Sequence, residues 1–230
     1  MVGISAARAW GARGVVALGL LAAFAAQAQT APAVGNADFR GREASGEARQ
    51  IARWAAEAGD AGGRPFAIVD KKAAQIYVFG ADGLLVEAAP ALLGQAKGDE
   101  AAPGVGRMVA TGIPAMLRTT PAGRFESEPG HNLRGEAIVW VDYEAAVAIH
   151  RLRPTAPGQR RLERLSSGSP EDNRISLGCI VVDPAFYDEV VAPTLGRQRG
   201  IVYVLPDTRP WQAVFSGAAV VTTASAATPL

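Results

Sequence analysis

The pattern of apolar and polar positions changes character at Pro65. Upstream, Ala44, Ala48, Ile51, Ala55 and Ala58 recur at helical spacing with Trp54 beside them, while Arg49, Arg53 and Glu57 fall elsewhere. That spacing predicts an amphipathic helix over about residues 42–58, ended by "GDAGG" and packed on the main domain rather than serving as a partner-binding module. Downstream, "FAIVD", "QIYVF" and "LLVEAA" read as strands, and "GADG" between the last two reads as a hairpin turn. "EAIVWVDY", "AVAIHRL" and "GIVYVLP" continue the β pattern. Two long stretches, "PAMLRTTPAGRFESEPGHNLRG" and "RPTAPGQRRLERLSSGSPEDNR", read as irregular connections of the length that is usually functional or disordered. The expectation is a mainly β domain with a few short helices and an N-terminal amphipathic helix.

The ends of the chain alter this picture. Arg8 and Arg13 precede the apolar run "VVALGLLAAFAA", and Ala26 and Ala28 make a small-residue cleavage site, so residues 1–28 read as a secretory signal peptide. The apolar run is shorter than a spanning helix requires, which argues against a membrane anchor remaining after cleavage. The expected organisation is a leader at 1–28, an extension at 29–64 that begins polar and mobile, a main domain at 65–207, and a flexible tail at 208–230 held at its start by Trp211 and Phe215. Cleavage removes two of the 23 Lys and Arg and none of the 22 Asp and Glu. A nearly neutral protein has no general field for nucleic acid or anionic lipid, so recognition must be local.

With one cysteine no intrachain disulfide forms. That cysteine, Cys179, stands in "NRISLGCIVVDP", behind Gly178 and before Asp183 and Pro184, which predict a helix N-cap and first turn. A thiolate near a helix N-terminus is expected to have a lowered pKa, and Gly178 permits close approach of a carbonyl. Two histidines are available as a base. His150 lies on a strand pattern with Ala148 and Leu152 on its face, whereas His131 lies in the loop-like "EPGHNLRG", so His150 is the better held. By residue type alone this is either Cys–His catalysis or a small buried hydrophobe beside a core histidine. No metal is expected, because Cys179, the histidines and the carboxylates lack ligand-pair spacing.

Residues 65–206 resemble an L,D-transpeptidase catalytic domain of the YkuD type, a β-sandwich-like fold of bacterial cell-envelope enzymes. "FAIVDKKAAQIYVF" resembles the opening hairpin of that family, "TTPAGRF" its T-P-x-G-x-F turn, and "IHR" with "SLGCI" its histidine and S-H-G-C elements, in the same order. The resemblance implies Cys179 as nucleophile, His150 as general base and the backbone carbonyl of Arg151 as the group that orients the imidazole. It places the oxyanion hole on the amides of Leu177, Gly178 and Cys179, with no cofactor. It further implies thiolate attack on peptidoglycan stem peptides in the periplasm, release of D-Ala, acyl transfer to an amine, and acylation of the same sulfur by carbapenems. Water as acceptor would make the enzyme an L,D-carboxypeptidase.

The departures are Leu177, where the family has histidine, and Val181, where it has arginine or asparagine. Leu177 keeps its N–H, so the oxyanion role survives. Asn173, Arg174 and Ser176 are the nearby polar candidates for substrate binding, against the alternative that they stabilise the loop. "RRLERL" carries a positive excess suited to stem-peptide carboxylates, although such runs usually form solvated faces. A catalytically impaired binding or scaffold protein on the same fold is the rival from another class.

Overall fold

The computed structural model describes residues 37–153 and 159–218. The leader at 1–28, most of the polar segment after it, the loop at 154–158 and the tail from 219 lie outside the described residues. Among the described residues no helix is long and apolar enough to cross a membrane.

Three uninterrupted apolar runs become neighbouring strands: β1 (Phe66–Asp70), β2 (Gln75–Phe79) and β10 (Gly200–Val204). Strands this apolar are buried on both faces, and the alternation shows which residues go where. Ala67, Val69, Ile76, Val78, Val202 and Val204 enter one hydrophobic cluster, while Phe66, Ile68, Tyr77, Phe79, Ile201 and Tyr203 enter another. The second cluster is closed by α1 (Gly46–Glu57), whose buried stripe is Ala48, Ile51, Ala52, Ala55 and Ala56. This helix begins four residues later than the periodicity predicts. Ser45, itself extended, caps it, accepting the Ala48 N–H at 3.1 Å, so residues 42–45 lead in outside the helix. Ile51 is fully buried and contributes about 1.5–3 kcal/mol of hydrophobic stabilisation. The helix at Trp211–Val214 closes the same cluster, with Trp211, Phe215 and Ala218 buried.

The expected strands at 84–89, 136–143 and 146–152 are present as β3 (Leu85–Pro90), β6 (Ala137–Asp142) and β7 (Val147–Arg151). Both segments read as irregular connections hold regular structure: the second carries a short helix at Arg161–Leu165, and the first contains β5 (Gly123–His131), a nine-residue strand central to the sheet. Its residues Gly123–Ser127 pair with β10 and Glu128–His131 pair with β6. Glu, Pro and Gly give "GRFESEPGH" little strand propensity, so partners on both edges, not the local sequence, make it a strand. Short β9 (Ile180–Val182) joins the far edge beside β7, giving the order β3-β2-β1-β10-β5-β6-β7-β9. β4 (Leu93–Gly94) and β8 (Arg174–Ser176) form a separate pair.

Val139, Val141, Val147, Ile149, Ile180 and Val182 share the first cluster with β1, β2 and β10. The eight-stranded sheet thus folds over along β5 so that its two halves bury one core, a sandwich made from a single sheet. α1 covers the outer face of one half. The outer face of β6–β7–β9 borders a groove instead.

Candidate active site

β7 and β9 run parallel, with Ile149 opposite Ile180 and His150 opposite Val181. Cys179 immediately precedes β9, so the same register sets it beside Ala148, two residues from His150. Because Ile149, Ile180 and Val182 face the core, Ala148, His150, Cys179 and Val181 project from the other face. Sulfur and imidazole therefore share one surface. Both border a groove of about 1090 Å³ with Ile138, Trp140, Tyr143 and Leu177, and a smaller pocket of about 290 Å³ with Arg134, Arg153 and Arg161.

The Nδ1–H of His150 donates to the carbonyl of Arg151 at 2.8 Å. A carbonyl only accepts, so the neutral ring carries its proton on Nδ1 and presents Nε2 as a free acceptor. The carbonyl is steadied by its own side chain: the Arg151 guanidinium pairs with Asp188, donates to Ala137 O at 3.1 Å and lies 4.1 Å over the Tyr187 ring. Burial pushes the His150 pKa below its ordinary value, and Arg153 and Arg161 push the same way, against Glu136 and the bond to Arg151. The imidazole is neutral over the physiological range.

The Cys179 thiol is half-buried and donates to Ala146 O at 3.5 Å. Its expected lowered pKa is not found. Burial pushes the thiol up, opposed by the Ala148 N–H and by the Arg153 and Arg161 charges. The helix is present, α3 (Pro184–Phe186) with Asp183 accepting the Ala185 N–H at 2.8 Å, but β9 stands between it and the sulfur. Four extended residues span about 13 Å. A helix-end field decays within one turn, so it does not reach Cys179. The resting pair is a neutral thiol beside a neutral imidazole.

The turn carrying the sulfur is held from beneath. Gly178 has φ +135°, and a Cβ there would stand 2.9 Å from the carbonyl oxygen of Thr119. Thr120, fully buried, donates its hydroxyl to Gly178 O at 2.8 Å and accepts the Gly94 N–H at 2.9 Å. Ser176 donates to Cys179 O at 2.6 Å and accepts the Gly178 N–H at 3.1 Å. Of the three amides assigned to an oxyanion hole, that of Gly178 is thus already engaged, because the Ser176 hydroxyl closes the turn on it. Leu177 is exposed.

Two residues suggested for substrate binding lie elsewhere. Asn173 is buried, donating its side-chain amide to Ala91 O at 3.1 Å. The Arg174 guanidinium donates to Asp207 at 2.6 and 3.1 Å and to Lys71 O at 2.7 Å. Both are turned into the fold because they satisfy buried acceptors there, and Ser176, though it borders the smaller pocket, serves the turn. His131 borders the large groove from the end of β5, not from a loop.

The network that receives Arg174 gives no signal in the sequence. Lys71, wholly buried, donates to Gly98 O at 2.5 Å, Thr120 O at 2.9 Å and Asp99 at 3.1 Å, and stands 3.3 Å from Asp207. Asp99 accepts from the backbone N–H of Asp207, Thr208 and Arg209 and from the Thr208 hydroxyl. Those bonds hold its carboxyl well below the usual carboxylate range despite burial. Through Thr120 the network supports the cysteine turn. A Lys following a strand looks like any surface lysine in sequence, and only the carboxylates brought by distant loops make it a core residue.

Val181, the second departure, is buried against Leu92 and Leu165, and its backbone exchanges hydrogen bonds with Leu92 at 2.7 and 2.9 Å. An apolar side chain fits because α2 (Arg161–Leu165) covers this position with Leu165.

No family model matches the chain, and no curated protein matches it. Among solved structures it is similar to an L,D-transpeptidase from Mycobacterium smegmatis, with 20% identity over 61% of this chain and 58% of that one and a TM-score of 0.34. It is similar to an Enterococcus faecium L,D-transpeptidase at 18% identity, covering 62% and 50% of the two chains with a TM-score of 0.35. For the helical cell shape determining protein Pgp2 from Campylobacter jejuni the identity is 14%, the coverage 71% and 57%, and the TM-score 0.40. The chain covers 58%, 50% and 49% of the first three solved structures it matches.

Proposed function

We propose that the protein is a cysteine-dependent L,D-transpeptidase of the cell envelope, acting on peptidoglycan stem peptides. The observation that carries this reading is the His150–Cys179 arrangement. An imidazole with Nδ1 tied to the Arg151 carbonyl stands on the same face as the lone thiol, and both open on one groove. A catalytic thiol needs an oriented base and access to substrate, and these residues supply both.

In the proposed reaction His150 Nε2 takes the Cys179 proton as Sγ bonds to the carbonyl carbon that precedes the terminal D-Ala. The amides of Leu177 and Cys179 receive the developing oxyanion. The C–N bond breaks, the imidazolium returns the proton to the departing D-Ala amine, and a thioester remains. An acceptor amine then displaces the sulfur and restores the thiol; water in its place gives a carboxypeptidase. The leader at 1–28 would deliver this chemistry to the periplasm.

The test is D-Ala release from a tetrapeptide stem. Cys179→Ala is expected to abolish it with the thermal transition unchanged, and undiminished release would reject the reading. The engaged Gly178 amide favours a second reading, a binding protein that retains the fold without the reaction. It predicts a thiol titration unaffected by His150→Ala, whereas a catalytic pair titrates jointly.

A further inference from the structure

α2 lies over the smaller pocket beside Cys179, anchored there by Leu165 on Val181 and Leu92. Residues four apart share a helix face, so the packing that seats Leu165 directs Arg161 to the same side. Its neighbours in the run differ. Arg160 is exposed and paired with Glu163, and Arg164 donates to Gln159 O at 3.1 Å and Asp172 O at 3.0 Å. Arg153 pairs with Glu136 at 2.5 Å. Arg161 is half-buried and lines one pocket with His150, Cys179, Ser176, Leu177 and Val181. Its Nε–H donates to Gln159 Oε1 at 2.7 Å, and among the described residues no carboxylate pairs with it. Burial lowers the Arg161 pKa, while the nearby sulfur is a group whose ionisation would raise it.

A guanidinium drawn partly out of water, with no counter-charge and with its edge on a pocket, is a site for an anion, and its planar fork suits a carboxylate. We propose that Arg161 forms a subsite that binds the free C-terminal carboxylate of the peptide whose carbonyl meets Cys179. This rests on the transpeptidase reading above and adds to it what selects the donor. In the scissile unit the terminal carboxylate is separated from the attacked carbonyl only by one amino nitrogen and one α-carbon. A pocket of about 290 Å³ containing both Arg161 and Cys179 suits that one residue. A donor longer by one residue carries its carboxylate about 3.5 Å further away and leaves the cation unpaired. A solvated face explains Arg160, and two backbone carbonyls occupy Arg164, but neither accounts for Arg161.

The lone cysteine permits a direct test that does not require turnover. Iodoacetate carries a carboxylate one carbon from the alkylated centre, and iodoacetamide is its neutral counterpart. Alkylation of Cys179 by each, followed by intact mass, gives a rate ratio in which any change of thiol pKa cancels. Arg161→Gln is expected to lower the iodoacetate-to-iodoacetamide ratio by about ten-fold, the scale of one charge-assisted hydrogen bond. Arg161→Lys should retain part of it, and Arg160→Gln, the same charge change on the exposed side, should leave it as in the parent. An unchanged ratio in Arg161→Gln, an equal fall in Arg160→Gln, or no alkylation by either reagent would overturn the subsite. D-Ala-terminated peptides with a free or amidated C-terminus separate the two claims. A ratio that depends on Arg161 without D-Ala release removes the transpeptidase and leaves the subsite. Equal D-Ala or D-Ala-amide release from both peptides removes the subsite and leaves the enzyme.

Discussion

The Thr120 hydroxyl donates to the carbonyl of Gly178 at 2.8 Å, across 58 residues of chain, and accepts the Gly94 N–H at 2.9 Å. Three segments meet at this one buried side chain, and the sulfur is carried by the residue after Gly178. Thr120→Val keeps the shape and strands a buried donor and a buried acceptor, each costing about 1–3 kcal/mol. Chemical denaturation should show a midpoint shift of that order, together with a changed rate of Cys179 alkylation. A shift below about 0.5 kcal/mol would mean that the turn is held by something else.

Gly178→Ala tests the same turn from the other side. The added Cβ meets Thr119 O at 2.9 Å with the backbone at φ +135°, so either the turn or the Thr119 segment must move. A loss of about 1–3 kcal/mol is expected, with reactivity of the thiol falling more than stability does. Gly168→Ala, where nothing lies within 4 Å, is the matched control and should be neutral.

The pKa shifts set a window for stability. His150 is depressed in the folded protein, so below about pH 6.5 the unfolded chain takes up a proton that the folded chain refuses, and stability falls with pH. Cys179 is raised, so above its ordinary value near 9.0 the unfolded chain gives up a proton that the folded chain keeps, and stability falls as pH rises. Between these limits both contributions are fully present. Comparing the pH profile of Tm for the parent with His150→Gln and Cys179→Ser isolates each limb. If the acid limb persists unchanged in His150→Gln, burial of the imidazole is not its cause.

Lys71→Met removes the cation that faces Asp99 and Asp207 in the core. Breaking one partner of such a cluster leaves buried charge uncompensated and costs about 3–5 kcal/mol. Arg174→Met should weaken the same network from its other side, lowering the thermal transition by less than Lys71→Met does.

Uninterrupted apolar runs were enough to mark β1, β2 and β10, because a strand buried on both faces has no polar register to hide it. The α1 stripe and the Asp183–Pro184 helix start were equally legible, being local patterns. The local pattern also placed Cys179 and His150 near one another in kind, as a lone thiol and a strand histidine. It did not carry β5, whose Glu-Pro-Gly sequence becomes strand only between β10 and β6. Nor did it distinguish Arg161 from Arg160 and Arg164, or Lys71 from a surface lysine, since charge type is the same and only burial and the partners brought by folding differ.

What the chain determined alone is whatever depends on neighbours a few residues away: caps, periodicity, turn glycines and the presence of one sulfur. What the tertiary structure decided is every property that depends on desolvation and on partners far along the chain. The thiol illustrates the division. Sequence proximity to a helix start suggests a lowered pKa, but a pKa follows distance and dielectric in space, and there β9 holds the helix away while burial keeps the proton on the sulfur.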